Sequence, residues 1–487
     1  MAKSIKDLQP AEFWKHFQKI TSIPRCSGNE TAIREYIISI AKDEGLKYAV
    51  DEKGNLVVSK GGTEGYENAP IVILQGHMDM VCEKNKGVEH DFSRDPIKLK
   101  IDGDYLKAEE TSLGADNGVG IASSLSIMES KDLSHPPMEF LFTVEEEVGL
   151  NGAKFLTSDF LKGRIMLNLD SEQEGDFFVG CAGGLDGEIM IDIIKEVAPS
   201  DTRPYLVKVS GLRGGHSGLE IDKGHANAIK VLNRFLWNIM KDTNIRIETF
   251  SGGSKRNAIA REAEAVVWIL DNKLELLKDK MKQWEQIFRK EFGKTEPNLK
   301  FDEPVTVDEI SSRYVLSSKT AQTMLNVIYA LPHGVVTMSR DIPNLVETST
   351  NLGIVKTDKE NIILTLNHRS SSATAILEVA EGIESLAKLA GVKYLRGPGY
   401  PGWQPDLDSK ILGLARETYR KLFNKEANIK AIHAGLECGI IGEKFPGIDM
   451  LSFGPTMHSV HSPDEKLYIP SVEPFWKFLV ELIKNVK

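Results

Sequence analysis

The sequence predicts an α/β fold, namely a three-layer domain with a mostly parallel sheet that is interrupted by an inserted α+β domain. Short apolar runs alternate with helical patterns up to about residue 186. Strands then mix with long charged helices until the turn-rich segment LRGPGYPGWQPD, after which apolar and glycine-rich segments resume. We therefore predict that residues 1–186 and 403–487 form one domain and that residues 187–402 form the insertion.

The elements of the first part follow from local patterns. The apolar spacing predicts helices, and the short apolar runs predict strands. The predicted helices are 11–20, 30–45 and 117–128, and the predicted strands are 47–50, 54–59, 71–75, 139–143 and 164–169. The first two strands form a possible hairpin across Asp51-Glu-Lys-Gly. Buried strands that alternate with helices are typical of a largely parallel sheet.

The middle of the chain has a different pattern. We predict strands in EIMIDII, YLVKVSG, EAEAVVWIL and NIILTLNHRS, and a long charged helix over Lys273–Lys290. Strands combined with helices on one face indicate an α+β domain. A helix over Ser409–Leu422 then begins the last part.

The composition excludes several classes of protein. The chain has 487 residues, 41% of them hydrophobic and 27% charged, with a formal net charge of −10 at pH 7. These values argue against a disordered, collagen-like or coiled-coil chain, and the negative charge disfavours nucleic acid or an anionic membrane as a partner. No window approaches about 18 uncharged apolar residues, so we expect no membrane span.

The first residues and the cysteines indicate a compartment. MAKSIKDLQPAEFWKHF lacks the apolar core of a secretory signal. Cys26, Cys82, Cys181 and Cys438 lie far apart and form no C-x-x-C pair. We therefore predict ordinary buried thiols in a protein of the reducing cytoplasm.

Polar side chains follow three of the predicted apolar strands. His77 and Asp79 come directly after IVILQ, Glu145–Glu147 follow EFLFT, and Asp170 ends the segment LNLD. Ligands of open α/β sheets bind at the carboxyl ends of strands, so these side chains should meet at one edge. Imidazole and carboxylate groups are ligands of divalent metals, although each segment alone also fits a turn or a solvated charge run.

Two further segments carry the same residue types. Asp116 lies in SLGADNGVG at the start of a predicted helix, where an ordinary N-cap is the favoured interpretation of that residue alone. The segment GPTMHSVHSPDE contributes His458 and His461 near the end of the sequence. Together with the strand-end residues, these groups match the ligand types of a two-metal hydrolase.

The chain also resembles a known family, the cytosolic aminoacyl-histidine dipeptidases (peptidase D). The resemblance rests on GHMDMV, GADNGVG, TVEEEVG, LNLDSE with GCAGG, GGHSG, HAGLECG and GPTMHSVHSPDE, in this order along nearly the whole chain. That family belongs to the co-catalytic zinc superfamily that includes aminoacylase, carboxypeptidase G and acetylornithine deacetylase. The resemblance implies a dipeptidase that acts on unblocked dipeptides, including Xaa-His; an N-acyl amino acid deacylase and a non-catalytic binding homologue are the alternatives.

The resemblance implies roles for residues of the first domain. Two divalent metal ions are expected, Zn²⁺ first, with Co²⁺ or Mn²⁺ as alternatives. The implied set is His77 and Asp170 on one ion, Glu147 and His461 on the other, Asp116 bridging both, Asp79 orienting His77, and Glu146 as general base. Glu145 and His458 are alternative ligands, although the spacing to Gly149 and to Ser-Pro-Asp-Glu favours Glu147 and His461.

The resemblance also assigns residues outside the metal centre. His216 in GGHSG would be an oxyanion donor of the inserted lid, and Arg369 and Asn257 would contact the substrate. Gly435 in HAGLECG would line the pocket from the catalytic domain. The lid is also expected to mediate a homodimer.

Overall fold

The chain divides into two compact units. The computed structural model describes residues 4–307 and 313–487, with the backbone alone at 241 and 242. The first unit comprises Met1–Cys181, Trp403–Ala431 and Leu436–Lys487, and the second comprises Ala182–Gly402 and Ile432–Gly435. The predicted insertion began at residue 187, whereas the second unit begins at Ala182. The reason is a backbone contact, because the N–H of Ala182 donates to the carbonyls of Ile432 and Ala434, which also places Gly435 in the second unit.

An eight-stranded sheet forms the centre of the first unit. In spatial order its strands are Lys47–Val50, Leu56–Lys60, Met138–Thr143, Val72–His77, Ile165–Asn168, Asp449–Ser452, Asp176–Cys181 and Asn428–Ile432. The four strands from Met138–Thr143 to Asp449–Ser452 are parallel, and Leu56–Lys60 and Asp176–Cys181 pair with them in the antiparallel sense. The expected hairpin is confirmed, since Lys47–Val50 pairs with Leu56–Lys60.

Helices cover this sheet, as expected for strands that are apolar throughout. They are Ala11–Ile20, Thr31–Asp43, Ala115–Glu129, Asn151–Phe155, Lys410–Phe423, Glu437–Lys444 and Ile469–Asn485, with a 3₁₀ turn at Ile5–Asp7. Ala11–Ile20 buries Phe13, Trp14, Phe17 and Ile20 along one stripe and packs on Ala115–Glu129. A small sheet of Leu99–Asp102, Tyr105–Ala108, Met457–His458 and Lys466–Tyr468 completes the unit.

The second unit is an α+β domain, as predicted. Its ten-stranded sheet contains, in order, Lys300–Phe301, Thr202–Ser210, Ala263–Leu270, Arg246–Gly252, Val346–Thr357, Asn361–Ser370, Gly183–Asp192 and Lys393–Tyr400, with Val305–Thr306 and Gly334–Met338 alongside. Two short pairs join Lys195–Val197 to Tyr314–Leu316 and Gly215–His216 to Ala258–Ile259. The helices are Ala228–Thr243, Leu274–Phe292, Ser318–Ala330 and Ala373–Ala390, with a 3₁₀ turn at Asp271–Lys273.

The expectation of four free thiols is wrong for two cysteines. Cys26 and Cys82 form a disulfide, whereas Cys181 and Cys438 are buried free thiols. The N–H of Met80 donates to the carbonyl of Arg25 and sets the two loops side by side, which brings residues 56 apart in sequence to a Cα separation of 5.8 Å. Within the described residues, no helix has the length and apolarity needed to cross a membrane.

Candidate metal centre and candidate carboxylate site

His77 is the centre of the first group of polar side chains. It is the last residue of the strand Val72–His77 and is 1% exposed. Its Nε2 lies 2.9 Å from Oδ1 of Asp116 and 3.3 Å from Oδ1 of Asp170. Because the strand before Asp170 runs parallel to the strand of His77, both residues leave the sheet at the same edge.

A second group contains His461, whose Nε2 lies 3.0 Å from Oδ2 of Asp116 and 3.0 Å from Oε2 of Glu147. In each group the ligand-type atoms lie within 4.8 Å of one another. Asp116 therefore faces His77 with one carboxylate oxygen and His461 with the other. One carboxylate joins the two groups.

The interpretation of Asp116 as an N-cap is wrong. The helix begins at Ala115 with Gly114 in the cap position, and Asp116 itself has non-helical backbone angles, with ψ at 112°. Glu465 holds this turn, because its carboxylate accepts the backbone N–H groups of residues 113 to 116 at 2.7–3.3 Å. Glu465 lies in the HSPDE segment, but no role was predicted for it.

Asp79 connects the two loops that carry the groups. Its carboxylate accepts the backbone N–H groups of Glu146 and Glu147 at 3.0 and 3.1 Å and the hydroxyl of Ser27 at 2.7 Å. Nδ1 of His77 lies 3.1 Å from the Asp79 carbonyl and 3.5 Å from its carboxylate. Burial opposes ionisation, but hydrogen bonds from His77 and Ser27 lower the pKa of Asp79 to about 2.

The two alternative ligands have other surroundings. Glu145 accepts a hydrogen bond from Nζ of Lys53 at 2.6 Å and another from Asn151 at 3.1 Å. His458 is exposed, and its ring packs 5.9 Å from the ring of Tyr105. Neither belongs to a ligand group among the described residues.

Glu146 belongs to a further group of ligand-type residues together with His77 and Glu147. Burial raises its pKa well above the usual value; His77 opposes this shift, and the charges of Asp170 and Glu437 add to it. Burial similarly raises the pKa of Asp170 to about 8. Burial and the neighbouring carboxylates thus oppose ionisation of Glu146 and Asp170.

The donor set fits divalent cations. The imidazole and carboxylate groups are the oxygen and nitrogen ligands that zinc and related ions take in proteins. Among the described side chains, buried Oε1 of Glu147 has no hydrogen-bond partner, which leaves an acceptor available to a cation. Hydrogen bonds to Asp116 and Glu147 raise the pKa of His461 to about 11. The proton on His461 therefore supplies positive charge that a bound cation would otherwise supply.

Glu437 lies below this centre and was missed by the sequence reasoning. It is fully buried, and its Oε2 accepts hydrogen bonds from Gln75 and Thr143, both at 2.6 Å. Burial raises its pKa to about 7. The signal was present, because Glu437 is the carboxylate of HAGLECG, in which only Gly435 received a role.

The second unit gathers the other predicted residues around Arg369. This guanidinium is 6% exposed, and it contacts the hydroxyls of Ser217 at 3.4 Å and Tyr400 at 3.2 Å. Among the described residues no carboxylate lies within ion-pair distance of Arg369. Gly435 packs here as well, since a Cβ at that position would lie 2.8 Å from Cε2 of Tyr400.

His216 lies in the same unit. Its Nδ1 accepts the backbone N–H groups of Gly218 and Leu219 at 3.2 and 3.0 Å. Burial, followed by the charge of Arg369, lowers its pKa to about 4. The ring is thus neutral near pH 7 with its proton on Nε2. The exposed Asn257 contacts this segment through its backbone, where its carbonyl accepts the N–H of Ser217 at 3.0 Å.

The first unit defines the class of protein. Two groups of imidazole and carboxylate donors share one carboxylate at the carboxyl edge of a parallel sheet, which is the arrangement of a two-metal hydrolase.

Comparisons with known proteins then define the family. Residues 55–200 match the model of peptidase family M28, and residues 207–296 match a model described as a peptidase dimerisation domain. The cytosol non-specific dipeptidase of Escherichia coli (strain K12) is 40% identical over 483 residues, 99% of each chain. The crystal structure of aminoacylhistidine dipeptidase from Vibrio alginolyticus has a TM-score of 0.91 at 40% identity and covers 100% of this chain and 98% of that one.

The chain belongs to the cytosol non-specific dipeptidase family and is a metallopeptidase. Aminopeptidase PepT from Bacillus cereus shares only the fold, with a TM-score of 0.57 at 16% identity over 98% of this chain and 99% of that one.

Proposed function

We propose that this protein hydrolyses the peptide bond of unblocked dipeptides with two divalent metal ions. The observation that carries the proposal is the position of Asp116, whose two carboxylate oxygens face His77 and His461 at 2.9 and 3.0 Å. The names of the relatives at 40% identity favour this activity over deacylation of N-acyl amino acids.

The chain offers a complete set of ligands for these ions. His77 and Asp170 would hold one, Glu147 and His461 would hold the other, and Asp116 would contribute to both. Bound ions would polarise the peptide carbonyl and make a water molecule more acidic. Asp79 fixes the orientation of His77 and the backbone of both glutamates, as carboxylates behind metal-binding histidines commonly do.

Glu146 acts as the general base. Its carboxylate takes a proton from the attacking water and returns it to the leaving amine, which makes Glu146 base and acid in turn. Its place in a group with His77 and Glu147 supports this role.

Residues of the second unit complete the proposal. Arg369 recognises the free carboxylate of the dipeptide, because a planar guanidinium can donate two parallel hydrogen bonds to a carboxylate. His216 donates from Nε2 to the oxyanion that develops at the reacting carbonyl. Asn257 contacts the substrate through its side chain.

The activity is tested with a panel of dipeptides, their N-acetylated forms and their C-terminal amides, on metal-free and metal-reconstituted protein. We expect hydrolysis of the free dipeptides only, and only with metal present. Preferential hydrolysis of the N-acetylated forms would instead identify a deacylase, and substrate binding without turnover by metal-loaded protein would identify a binding homologue.

The finer assignments need their own measurements. We propose zinc as the metal, two ions per chain, to be measured by elemental analysis after purification without chelators. Xaa-His dipeptides belong in the panel because a related structure is named an aminoacylhistidine dipeptidase. We also propose a homodimer through the second unit, which the dimerisation-domain match supports and which predicts twice the chain mass in light scattering.

A cytoplasmic location is proposed from the relative named cytosolic, and fractionation tests it. The Cys26–Cys82 disulfide makes a second measurement useful, because disulfides are uncommon in reducing compartments. Alkylation of free thiols in fresh extract would report the state of this pair in the cell.

A further inference from the structure

Three residues from distant parts of the sequence form one row across the large sheet of the second unit. Gly184 pairs with Arg369 on the strand Asn361–Ser370 and with Tyr400 on the strand Lys393–Tyr400. Residues directly opposite each other on neighbouring strands point to the same face of a sheet. Arg369 and Tyr400 therefore lie on the same face, on either side of Gly184.

The middle position of this row has no side chain, and the ring of Tyr400 fills that space. A Cβ at residue 184 would lie 2.5 Å from Cε1 of Tyr400, and a Cβ at residue 435 would lie 2.8 Å from Cε2. Two glycines thus border the same ring on opposite edges. The ring reaches across the sheet only because both positions lack a side chain, and its hydroxyl then lies 3.2 Å from Nη1 of Arg369.

Among the residues that the structure describes, none forms an ion pair with Arg369. The nearby carboxylate of Asp186 accepts a hydrogen bond from Arg256 at 2.6 Å and another from Asn367 at 2.8 Å. The described contacts of Arg369 are the neutral hydroxyls of Ser217 and Tyr400. A buried guanidinium whose described partners are neutral hydroxyls can still form an ion pair with an anion.

We propose that Tyr400 is a positioning residue that orients Arg369 for the free carboxylate of the substrate, in a slot that Gly184 and Gly435 leave open. This inference rests on the proposed function of Arg369. It gives a physical reason for Gly184 in GCAGG and Gly435 in HAGLECG, since a side chain at either position would displace the ring and, with it, the acceptor that fixes the guanidinium.

The experiment compares Tyr400→Phe with wild type on L-alanyl-L-histidine and on its C-terminal amide. The variant keeps the ring and removes the hydroxyl that accepts from Arg369, so we expect KM for the free dipeptide to rise about three- to tenfold. The change in kcat should be smaller than the change in KM, and the preference for the free acid over the amide should fall by the same factor.

Two further variants make the result specific. Tyr394→Phe is the matched control, because Tyr394 lies on the same strand and its buried hydroxyl has no hydrogen-bond partner among the described residues. It should leave KM unchanged. In the double variant Arg369→Gln/Tyr400→Phe, KM should not exceed that of Arg369→Gln alone, because Tyr400 acts through Arg369.

The outcomes separate this inference from the function on which it rests. Wild-type protein that hydrolyses the amide as well as the acid contradicts carboxylate recognition itself. Discrimination that disappears in Arg369→Gln but persists in Tyr400→Phe contradicts only the role of Tyr400, as do additive effects in the double variant. Gly435→Ala should displace the ring of Tyr400 and so lower the preference for the free acid over the amide. An unchanged preference would contradict the proposed role of Gly435 beside the ring.

Discussion

The histidines of the two candidate sites have opposite pKa shifts. In the first unit, hydrogen bonds to carboxylates raise the pKa of His461 to about 11, and the charge of Asp170 overcomes burial to raise the pKa of His77. In the second unit, burial lowers the pKa of His216 to about 4 and that of His433 to about 3. The residue type is the same, but the charge around it has the opposite sign.

The comparison shows that each unit is electrostatically incomplete in its own way. The first collects carboxylates around two imidazoles and needs cations. The second buries the Arg369 guanidinium without a carboxylate among the described residues, and needs an anion.

Glu146→Gln gives the largest expected effect, because it removes the proton acceptor and leaves all five ligands in place. We expect kcat to fall by about 10²- to 10⁴-fold. Metal content, measured by elemental analysis, should remain that of wild type. The neighbouring Glu145→Gln is the control, since Glu145 pairs with Lys53; a full rate for Glu146→Gln would remove this residue as the base.

The Cys26–Cys82 disulfide lies in the first unit, which also contains the candidate metal ligands. A Cys26→Ser/Cys82→Ser variant opens a loop of 56 residues, which a chain-entropy treatment values at about 4 kcal/mol of unfolding free energy. Urea denaturation of metal-free protein measures this loss, and reduced wild type should match the variant. Equal stability of oxidised wild type and the variant would show that the cross-link contributes nothing.

His368 of the second unit tests how a buried histidine affects stability in acid. Burial, followed by the charge of Arg396, lowers its pKa to about 4, while the unfolded chain keeps a value near 6.5. The unfolded state therefore binds more protons between these values, and the free energy of unfolding falls by up to about 3 kcal/mol as pH drops from 6.5 to 4. His368→Gln should flatten this dependence by one proton in urea titrations, and an unchanged slope would contradict the shift.

Arg369→Gln gives the smallest of these effects in free energy. Loss of a charged hydrogen bond to the substrate carboxylate should raise KM about 10- to 100-fold, with a smaller change in kcat. Arg396→Gln is the matched control, because the ion pairs that the structure describes for Arg396, with Glu381 and Glu384, are partly exposed to solvent. If both variants raise KM equally, the effect is general electrostatics and not recognition by a particular residue.

The parts of the molecule that sequence reasoning could predict are those written in local patterns. The apolar runs before His77, Glu145 and Asp170 indicated parallel strands, and their carboxyl ends do meet at one edge. The helix predicted over Lys273–Lys290 is confirmed as Leu274–Phe292. These features depend on a few neighbouring residues, which one sequence displays.

The parts that could not be predicted depend on contacts between distant segments. Asp116 alone fits an N-cap. The turn that contains it is held by Glu465, about 350 residues later in the sequence, and no local pattern shows that contact. The Cys26–Cys82 bond likewise follows from two loops meeting in space. The row of Gly184, Arg369 and Tyr400 requires the register of three strands, which no local pattern specifies.

The hold of Glu465 on the Asp116 turn has a consequence for biosynthesis. His77 and Asp116 leave the ribosome early, whereas His461 and Glu465 follow only after the whole second unit has been made. Domains fold from the N-terminus onwards during translation, so the nascent chain carries four of its five proposed ligands, without His461 and Glu465, while the second unit is made. A peptidase assembled in this order gains its hydrolytic activity only after its second unit has been translated.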